Sequence, residues 1–405
     1  MQEFLFKGRM TFLQYKVQMS LSILKDGGLV PTKLVVVKVG TSSLTKSDGS
    51  LDEEEMRRLV NQIAEAIKQG NKIVLVTSGA VAAGIAELGI PPKPNDIVFQ
   101  QASAATGQGI IMAKYRELFR KHGLKVAQIL LTAEDLSNRV SYLHTCDVLE
   151  TLLQFGVVPI INENDVTSID ELIPVTKGYR VNFSDNDLLS VLVANAVEAD
   201  IVAILSDVDG LYTMNPKKPE ACIIKTVCEI TPELKSAVEG KGRLGSGGMK
   251  TKLKAAEIAT TSGIPVVIAN SRRENVLLDI IAGKEVGTYF KPQEKMSSIT
   301  RWIAYGASVK GQIFVNEGAE KAIVKGASLL PIGVTKVVGH FDVGDVVGIV
   351  GQDNVEFAKG NPNYYSGEIN IIKGLKTNQI EKALGYIRRK EIIGHKNMHI
   401  VKGEK

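Results

Sequence analysis

Two lysines of the sequence stand beside small residues in a way that suits the binding of a phosphate group. Lys38 lies near the end of the apolar run 34–39, and Gly40, Thr41 and Ser42 follow it. A buried lysine is rare and costly unless it has a partner. The backbone N–H groups and hydroxyls of the turn, together with the ammonium group, would form an anion cradle. A lysine that extends from the strand end into solvent is the alternative.

The second lysine closes the glycine-rich segment 245–252, which reads GSGGMKTK and runs into a predicted helix. Glycines let a ligand approach the backbone closely, and a helix N-terminus favours phosphate. The Lys252 ammonium could then neutralise the charge that moves onto a leaving phosphate. A flexible loop with solvated lysines is the alternative.

Three polar segments follow predicted strands, where a ligand of an open parallel sheet would bind, and a fourth stands at the start of a predicted helix. They are TSGAVAAG at 77–84, NEND at 162–165, SDND at 184–187 and SDVDGLY at 206–212. Each alone has a simpler explanation, such as helix packing, a solvated turn or a helix cap. Together they predict one site with two cations, several carboxylates and many N–H donors.

Several other kinds of site are disfavoured by the sequence. The chain has neither a G-x-x-x-x-G-K-[ST] segment nor a G-x-G-x-x-G segment after a strand. It shows no Ser-His-Asp order, and its five histidines and three cysteines have no zinc-site spacing. No metal site built from protein side chains is therefore predicted. Phosphoryl transfer to a substrate carboxylate needs no covalent enzyme intermediate.

The elements that would position these residues alternate between strand and helix from 33 to about 287. Short β-branched runs, apolar on both faces, are typical of a buried parallel sheet. The predicted strands are 34–39, 72–76, 126–131, 157–161, 201–205 and 265–269. The predicted helices are 52–69, 98–121, 135–154, 185–197, 249–262 and 274–282. This pattern predicts a three-layer α/β/α domain.

The sequence also indicates where one helix begins and where the domains divide. For the helix 52–69, Ser50 and Glu53 form a predicted capping box and Gly70 ends it. Beyond a linker at 291–298, a small β domain is predicted with strands 311–315, 333–338, 345–350 and 369–372. We therefore divide the chain into an N-terminal extension at 1–31, the α/β domain at 32–290, and the linker and β domain at 291–405.

Composition restricts the class of protein. The 405 residues are 44% hydrophobic and 23% charged, which is typical of a globular chain, and no apolar run is long enough for a membrane span. Three cysteines favour a reducing, cytoplasmic compartment. The net charge of +5 falls entirely after residue 296, mostly after Glu381. We interpret this excess as a solvated basic tail rather than as a nucleic-acid surface.

In these motifs the chain resembles the amino-acid kinase superfamily, and within it the glutamate 5-kinase family, over about 33–401. The motifs occur in the family's order: VVKVGTSSL, VTSGAVAAG, QASAATGQG, INEND, SDNDLLS, SDVDGLYT and GSGGMKTKLKAA. INEND, DND and GGMxTK are more specific than the others. The segment GASLLPIGVTKVVGHFDVGDVV is similar to a PUA domain.

The resemblance implies phosphorylation of the γ-carboxylate of L-glutamate by ATP and Mg²⁺, as the first step of proline biosynthesis. It also implies feedback inhibition by proline, a homo-oligomer, and a downstream glutamate-5-phosphate reductase as a possible partner. The catalytic positions would be Lys38, Lys252 and Asp187, and the glutamate-binding positions Ser78, Asp165 and Asn186. The ATP-binding positions would be Lys38, Ser206, Asp207, Ser246, Gly247, Gly248, Met249, Lys250, Thr251 and Lys252.

The chain departs from the family pattern at two places. Position 206 is serine where threonine is common, and the segment 166–183 is longer than expected.

Three alternative functions are considered: another kinase of the superfamily, an RNA-binding role of the PUA-like domain, and a catalytically inactive kinase fold. Asp165 disfavours an N-acetylated substrate, since an acylated amine needs no carboxylate partner. The modest basic excess disfavours RNA, and the two lysines disfavour an inactive fold.

Overall fold

The computed structural model describes residues 21–23, 29–46, 49–91, 96–168, 186–214, 216, 218–239 and 247–401. These residues form two compact units. The first contains the described residues up to Leu131 together with those of 147–168 and 186–295. The second contains Thr132–Cys146 and 296–401. The sequence did not predict that Thr132–Cys146 would group with the C-terminal residues.

An eight-stranded sheet forms the centre of the first unit. Its strands are β3 (Leu34–Val39), β4 (Lys72–Val76), β5 (Lys125–Leu131), β6 (Val157–Glu163), β7 (Ile201–Ser206), β8 (Thr226–Val227), β9 (Val266–Asn270) and β10 (Thr288–Phe290). The order is β5-β6-β4-β3-β7-β9-β10-β8, and every pair is parallel except β9 with β10. A separate antiparallel pair, β1 (Leu21–Ile23) and β2 (Leu29–Pro31), precedes this sheet.

Helices connect these strands. In chain order they are α1 (Thr41–Leu44), α2 (Glu53–Lys68), α3 (Ala80–Leu88), α4 (Ile97–Arg120), α5 (Ala133–Ser137), α6 (Arg139–Gln154), α7 (Asn186–Val197), α8 (Pro232–Glu239), α9 (Gly247–Thr261) and α10 (Val276–Ile281). α5 and the first half of α6 belong to the second unit.

The strand β3 shows how the two faces of the sheet are used. Val35, Val37 and Val39 join the core that α2, α4 and α10 cover on one face. Because side chains alternate along a strand, Val36 and Lys38 point to the other face, where α7 and α9 pack. Val36 is fully buried, and Lys38 is only 3% exposed. The predicted three-layer architecture with a mainly parallel sheet is confirmed.

The predicted elements differ from the structure at their ends. Asn162, Glu163 and Ser206 are the last residues of strands rather than the first residues after them. The predicted capping box of the helix at 52–69 was wrong. Asp52, not Ser50, caps α2, because its side chain accepts a hydrogen bond from the Glu55 N–H at 3.3 Å.

The helix predicted over 135–154 is interrupted at Asn138. This residue has an extended backbone, and its side chain accepts hydrogen bonds from the N–H groups of Val140 at 2.9 Å and Ser141 at 3.2 Å. Asn138 therefore ends α5 and caps α6, as an asparagine can when its side chain replaces a backbone acceptor.

The second unit contains a five-stranded sheet. Its strands are β11 (Val309–Val315), β12 (Val334–Val338), β13 (Val346–Val350), β14 (Glu356–Gly360) and β15 (Met398–Ile400), in the order β12-β11-β13-β14-β15. Only β11 and β13 pair in parallel. The helices are α11 (Ser298–Arg301), α12 (Glu317–Val324), α13 (Ser366–Ile372) and α14 (Ile380–Leu384), and a π-helical turn spans Trp302–Gly306.

Two expectations for this unit were wrong. The predicted strand 369–372 lies in α13, where Ile369 and Ile372 are three residues apart, lie on one helical face and are fully buried. Glu368 stabilises the start of this helix by accepting a hydrogen bond from the Tyr365 N–H at 2.9 Å. The C-terminal residues up to Val401 are folded rather than a tail, because Ile392 and Ile393 are fully buried and β15 pairs with β14, although the basic side chains of Arg388, Arg389 and Lys390 are exposed to solvent as expected.

In the described part of the chain, no helix combines the length and the apolar character needed to cross a membrane.

Close packing between α3 and α4 gives a test of the fold. A Cβ atom added to Gly107 would lie 1.9 Å from the Ala80 carbonyl oxygen, whereas one added to exposed Gly109 meets nothing within 4 Å. Gly107→Ala should therefore lower the midpoint of thermal unfolding, at a cost of about 1–3 kcal/mol, because the helices must separate. Gly109→Ala on the same helix should leave the midpoint unchanged or raise it. Equal midpoints for the two variants would contradict this packing.

Candidate active site

A buried carboxylate joins the two lysines that the sequence singled out. Asp187, the second residue of α7, is fully buried. Its Oδ1 lies 2.6 Å from Lys38 Nζ, and its Oδ2 lies 3.1 Å from Lys252 Nζ. Both ammonium groups are thereby fixed at the carboxyl edge of the sheet. Two fixed cations are an arrangement that binds phosphate oxygens through charge-assisted hydrogen bonds.

The local structure explains how the lysines converge. Lys38 points toward α7 because of its register on β3, and a Cβ atom added to Gly40 would lie 3.6 Å from its Nζ. The ammonium group therefore lies over the turn that follows β3. Lys252 comes from the first turns of α9, and its Nζ also donates to the Gly248 carbonyl oxygen at 3.3 Å. Thr251 donates to the second oxygen of Asp187 at 3.2 Å.

A row of side-chain amides lies next to this carboxylate. Asn186 Nδ2 donates to Asn162 Oδ1 at 2.9 Å, and Asn162 Nδ2 donates to Gln108 Oε1 at 2.9 Å. Asn186 Nδ2 also contacts Ser78 Oγ at 2.9 Å and the Thr77 carbonyl oxygen at 2.8 Å. We call Gln108, Asn162 and Asn186 the amide row.

The two ends of the amide row hold polar atoms that the described residues do not satisfy. Gln108 Nε2 and Asn186 Oδ1 are both buried, and neither has a hydrogen-bond partner within the described ranges. Buried polar atoms are almost always hydrogen-bonded in folded proteins. The row thus offers a ligand a donor at one end and an acceptor at the other.

Thr77 links the amide row to a buried tyrosine of α4. Its hydroxyl lies 3.0 Å from the hydroxyl of Tyr115, a fully buried residue of α4. Burial raises the pKa of the Tyr115 phenol, so this group stays a neutral hydroxyl. Because α4 carries both Gln108 and Tyr115, seven residues apart and so on one face, a single helix fixes the amide row and its support.

The ends of β7 and β9 form the other side of the site. Ser206 is buried and donates to Asp207 Oδ1 at 3.0 Å, while Asp207 itself is exposed. Asp209 accepts hydrogen bonds from Asn270 Nδ2 at 2.8 Å and from the Tyr212 hydroxyl at 3.0 Å. The loop after β7 is therefore attached to β9 through Asn270 and braced internally by Tyr212.

The structure brings together several of the residues predicted from the sequence. Lys38, Asp187, Thr251 and Lys252 meet around one carboxylate, and Ser78 meets Asn186. Gly247 and Gly248 are the first residues of α9.

Other predicted residues are placed differently. Lys250 is exposed, whereas Met249 is 8% exposed and offers a nucleotide little side-chain surface. Asp165 lies half-buried in the turn after β6, outside the amide row. Ser246 lies outside the described residues.

Sequence reasoning missed Gln108 as a site residue, although it lies in a quoted motif, and it included Asn162 in the predicted site only as part of the segment 162–165, without a role of its own. Gln108 has a signal that could have been used, because it falls on the same face of α4 as Ala104, Ile111 and Tyr115, all of which are buried. A polar residue on an otherwise apolar helical face calls for a partner.

The acidic, histidine and cysteine side chains of the described residues are too dispersed to form a metal site. In the ranges that the structure describes, no group of three or more His, Cys, Asp or Glu side chains is arranged to hold a metal ion. The residues around Asp187 are mainly cationic, so they suit the phosphates of a nucleotide rather than a bare cation.

Two family models match successive parts of the chain. Residues 33–270 match the Amino acid kinase family, and residues 311–384 match the PUA domain. A solved UMP kinase from Bacillus anthracis is similar to 65% of this chain and 97% of its own, at 18% identity and a TM-score of 0.44.

Curated relatives cover nearly the whole chain. A glutamate 5-kinase from Thermoanaerobacter sp. (strain X514) is 47% identical over 376 residues, which is 92% of this chain and 99% of the relative. Glutamate 5-kinases from Moorella thermoacetica and Methanosarcina barkeri are 44% and 45% identical, over 92% and 91% of this chain and 97% and 96% of their own. The chain therefore belongs to the amino acid kinase family and, within it, to the glutamate 5-kinases, with a PUA domain at its C-terminal end.

Proposed function

We propose that this protein transfers the γ-phosphoryl group of ATP to the γ-carboxylate of L-glutamate, giving γ-glutamyl phosphate and ADP as the first step of proline biosynthesis. Family membership supports the substrate pair. The observation that carries the chemistry is the buried carboxylate of Asp187 between the Lys38 and Lys252 ammonium groups. Such a pair of fixed cations stabilises the charge of a phosphoryl group in transfer.

The amide row would bind the amino acid. A zwitterionic substrate carries carboxylates, which accept hydrogen bonds, and an ammonium group, which donates them. Gln108 Nε2 and Asn186 Oδ1 supply the complementary donor and acceptor at the two ends of the row. Ser78 holds Asn186 in place, and Asp165 in the turn after β6 would add a carboxylate partner for the ammonium group.

In the reaction, an oxygen of the glutamate γ-carboxylate forms a bond to the γ-phosphorus of ATP. The bond between that phosphorus and the bridging oxygen of ADP breaks, and its electron pair leaves with ADP. Lys38 and Lys252 would contact the phosphate oxygens on which negative charge increases. Asp187 would hold both lysines at the required separation. Mg²⁺ would enter with the nucleotide and neutralise part of its charge.

Ser206, Asp207 and residues 246–251 would complete the nucleotide site. Backbone N–H groups at the start of α9 suit phosphate, because the helix dipole adds to their hydrogen bonding. Feedback inhibition by proline, assembly into a homo-oligomer and a downstream glutamate-5-phosphate reductase are also part of this proposal. So is a cytoplasmic location, with which the free cysteines Cys146, Cys222 and Cys228 agree.

The reaction is tested by trapping its product with hydroxylamine. The full chain would be mixed with Mg-ATP, hydroxylamine and one acceptor: glutamate, aspartate, N-acetylglutamate or none. We expect hydroxamate with glutamate alone, because only an acyl phosphate acylates hydroxylamine rapidly, and we expect proline to suppress it. If the folded protein makes no hydroxamate from glutamate, the assignment of glutamate as the acceptor is refuted. Hydroxamate formed from another acceptor would indicate a different kinase of the family.

Removing one cation should affect the chemical step. Lys252→Ala should lower kcat by about 100-fold or more, because a group that stabilises transition-state charge is lost. Lys254→Ala removes an exposed lysine from the same helix and should retain the kcat of the native chain. Steady-state kinetics with saturating ATP and glutamate would compare the two variants. A native kcat for Lys252→Ala would remove this residue from the reaction.

The amide row should control binding of the amino acid. Asn186→Ala should raise KM for glutamate by about 10-fold or more, because it removes several hydrogen bonds at once. The matched control is Asn195→Ala on the same helix, where the amide is buried without a hydrogen-bond partner among the described residues. The control should keep its KM. If both variants raise KM for glutamate equally, or neither does, the amide row is not the glutamate site.

A further inference from the structure

Ser271 occupies a junction at the carboxyl edge of the sheet. It is the first residue after β9, and its side chain is half-buried. Its hydroxyl donates to the Ser43 hydroxyl at 2.8 Å, and its N–H donates to the Ser206 carbonyl oxygen at 2.8 Å. One residue therefore contacts both the turn after β3 and the last residue of β7.

Ser43 belongs to the turn on which the Lys38 ammonium group lies. Its side chain is buried, whereas Thr41 and Ser42 in the same turn are exposed. Its N–H donates to the Gly40 carbonyl oxygen at 3.1 Å, and the Gly40 N–H donates to the Leu205 carbonyl oxygen at 3.3 Å. The turn is thus hydrogen-bonded to β7 directly at Gly40, and in the described residues Ser43 is linked to the end of β7 through Ser271.

The residues beside Ser271 are themselves fixed. The Asn270 amide donates to Asp209 at 2.8 Å and accepts a hydrogen bond from the Arg272 N–H at 3.0 Å. The Arg272 carbonyl oxygen in turn accepts from the Arg58 guanidinium at 2.7 Å. The backbone at Ser271 is consequently held in place by its neighbours. The hydrogen bond from its hydroxyl to Ser43 therefore restrains the turn after β3.

We infer that Ser271 is a positioning residue for the phosphoryl donor, which sets the turn after β3 against the end of β7 through the hydroxyl of Ser43. This inference rests on the proposed function, in which Lys38 and the end of β7 contact the same ATP molecule. Ser271 itself need not contact the nucleotide. Its effect is to keep the two parts of the nucleotide site at the separation that one ATP molecule requires.

Loss of this hydroxyl should change ATP binding more than it changes stability. The sheet pairing between β7 and β9 is made by backbone atoms and survives in Ser271→Ala, as does the hydrogen bond to the Ser206 carbonyl oxygen. Only the attachment of Ser43 is lost. A residue with a merely structural role would lower the unfolding temperature and leave the affinity for ATP unchanged.

The test is a double-mutant cycle on the full chain with Ser271→Ala, Ser43→Ala and the double variant. The Kd for Mg-ATP would be measured calorimetrically without glutamate, alongside KM for ATP, KM for glutamate and the unfolding temperature. We expect each single variant to weaken ATP binding by about 3- to 10-fold, as the loss of one neutral hydrogen bond does. The double variant should bind ATP no more weakly than the weaker-binding single variant, because the two substitutions remove the same hydrogen bond. KM for glutamate should stay constant.

A matched control is Ser262→Ala, which removes a buried hydroxyl just after α9 that donates to the Ile258 carbonyl oxygen at 2.7 Å. Its affinity for ATP should equal that of the native chain. Additive losses in the cycle, native affinity in both single variants, or an equal loss in the control would each overturn the inference. If the native chain binds ATP but forms no hydroxamate from glutamate, the proposed function is refuted. The effect of the variants on ATP binding can still be interpreted, because it is measured without glutamate.

Discussion

The burial of Asp187 between two lysines is the constraint on which the rest of the site depends. A buried charge is tolerated only when its partners are in place, and removing one partner of such a pair typically costs about 3–5 kcal/mol. Lys38, Asp187 and Lys252 come from β3, α7 and α9, so the carboxylate fixes three elements relative to one another. A shift of β3 by one residue would turn Lys38 into the opposite layer, between the apolar side chains of α2 and α4.

The start of α7 divides the site into two regions. Asn186 turns toward the amide row, and the next residue, Asp187, turns toward the lysines. Neighbouring residues of a helix point about 100° apart, so one helix end can serve both regions. An amino acid bound along the amide row and a phosphate bound at the lysines would meet at this helix end, as transfer between them requires.

Much of this arrangement follows from the sequence, because the strands are short apolar runs and the polar residues after them must meet at one edge. Lys38 and Lys252 were named because each stands beside small residues that suit a phosphate, and Asp187 was named by the family resemblance. The position of Gln108 on an apolar helical face marks it as a residue that needs a partner, but the identity of that partner, Asn162, cannot be read locally because it is 54 residues away. The segment 369–372 reads as a strand because β-branched residues favour strands, but tertiary packing and the Glu368 side chain make it a helix.

The grouping of Thr132–Cys146 with the C-terminal residues has a consequence for how the protein is made. The only tryptophan, Trp302, donates from its indole to the Leu136 carbonyl oxygen at 3.2 Å, and its ring lies 6.2 Å from that of Tyr142. A ribosome that adds roughly 5–20 residues per second would release residues 132–146 on the order of ten seconds before Trp302. During that interval the nascent chain carries apolar side chains whose packing partners do not yet exist, which exposes this segment to chaperones and proteases during translation.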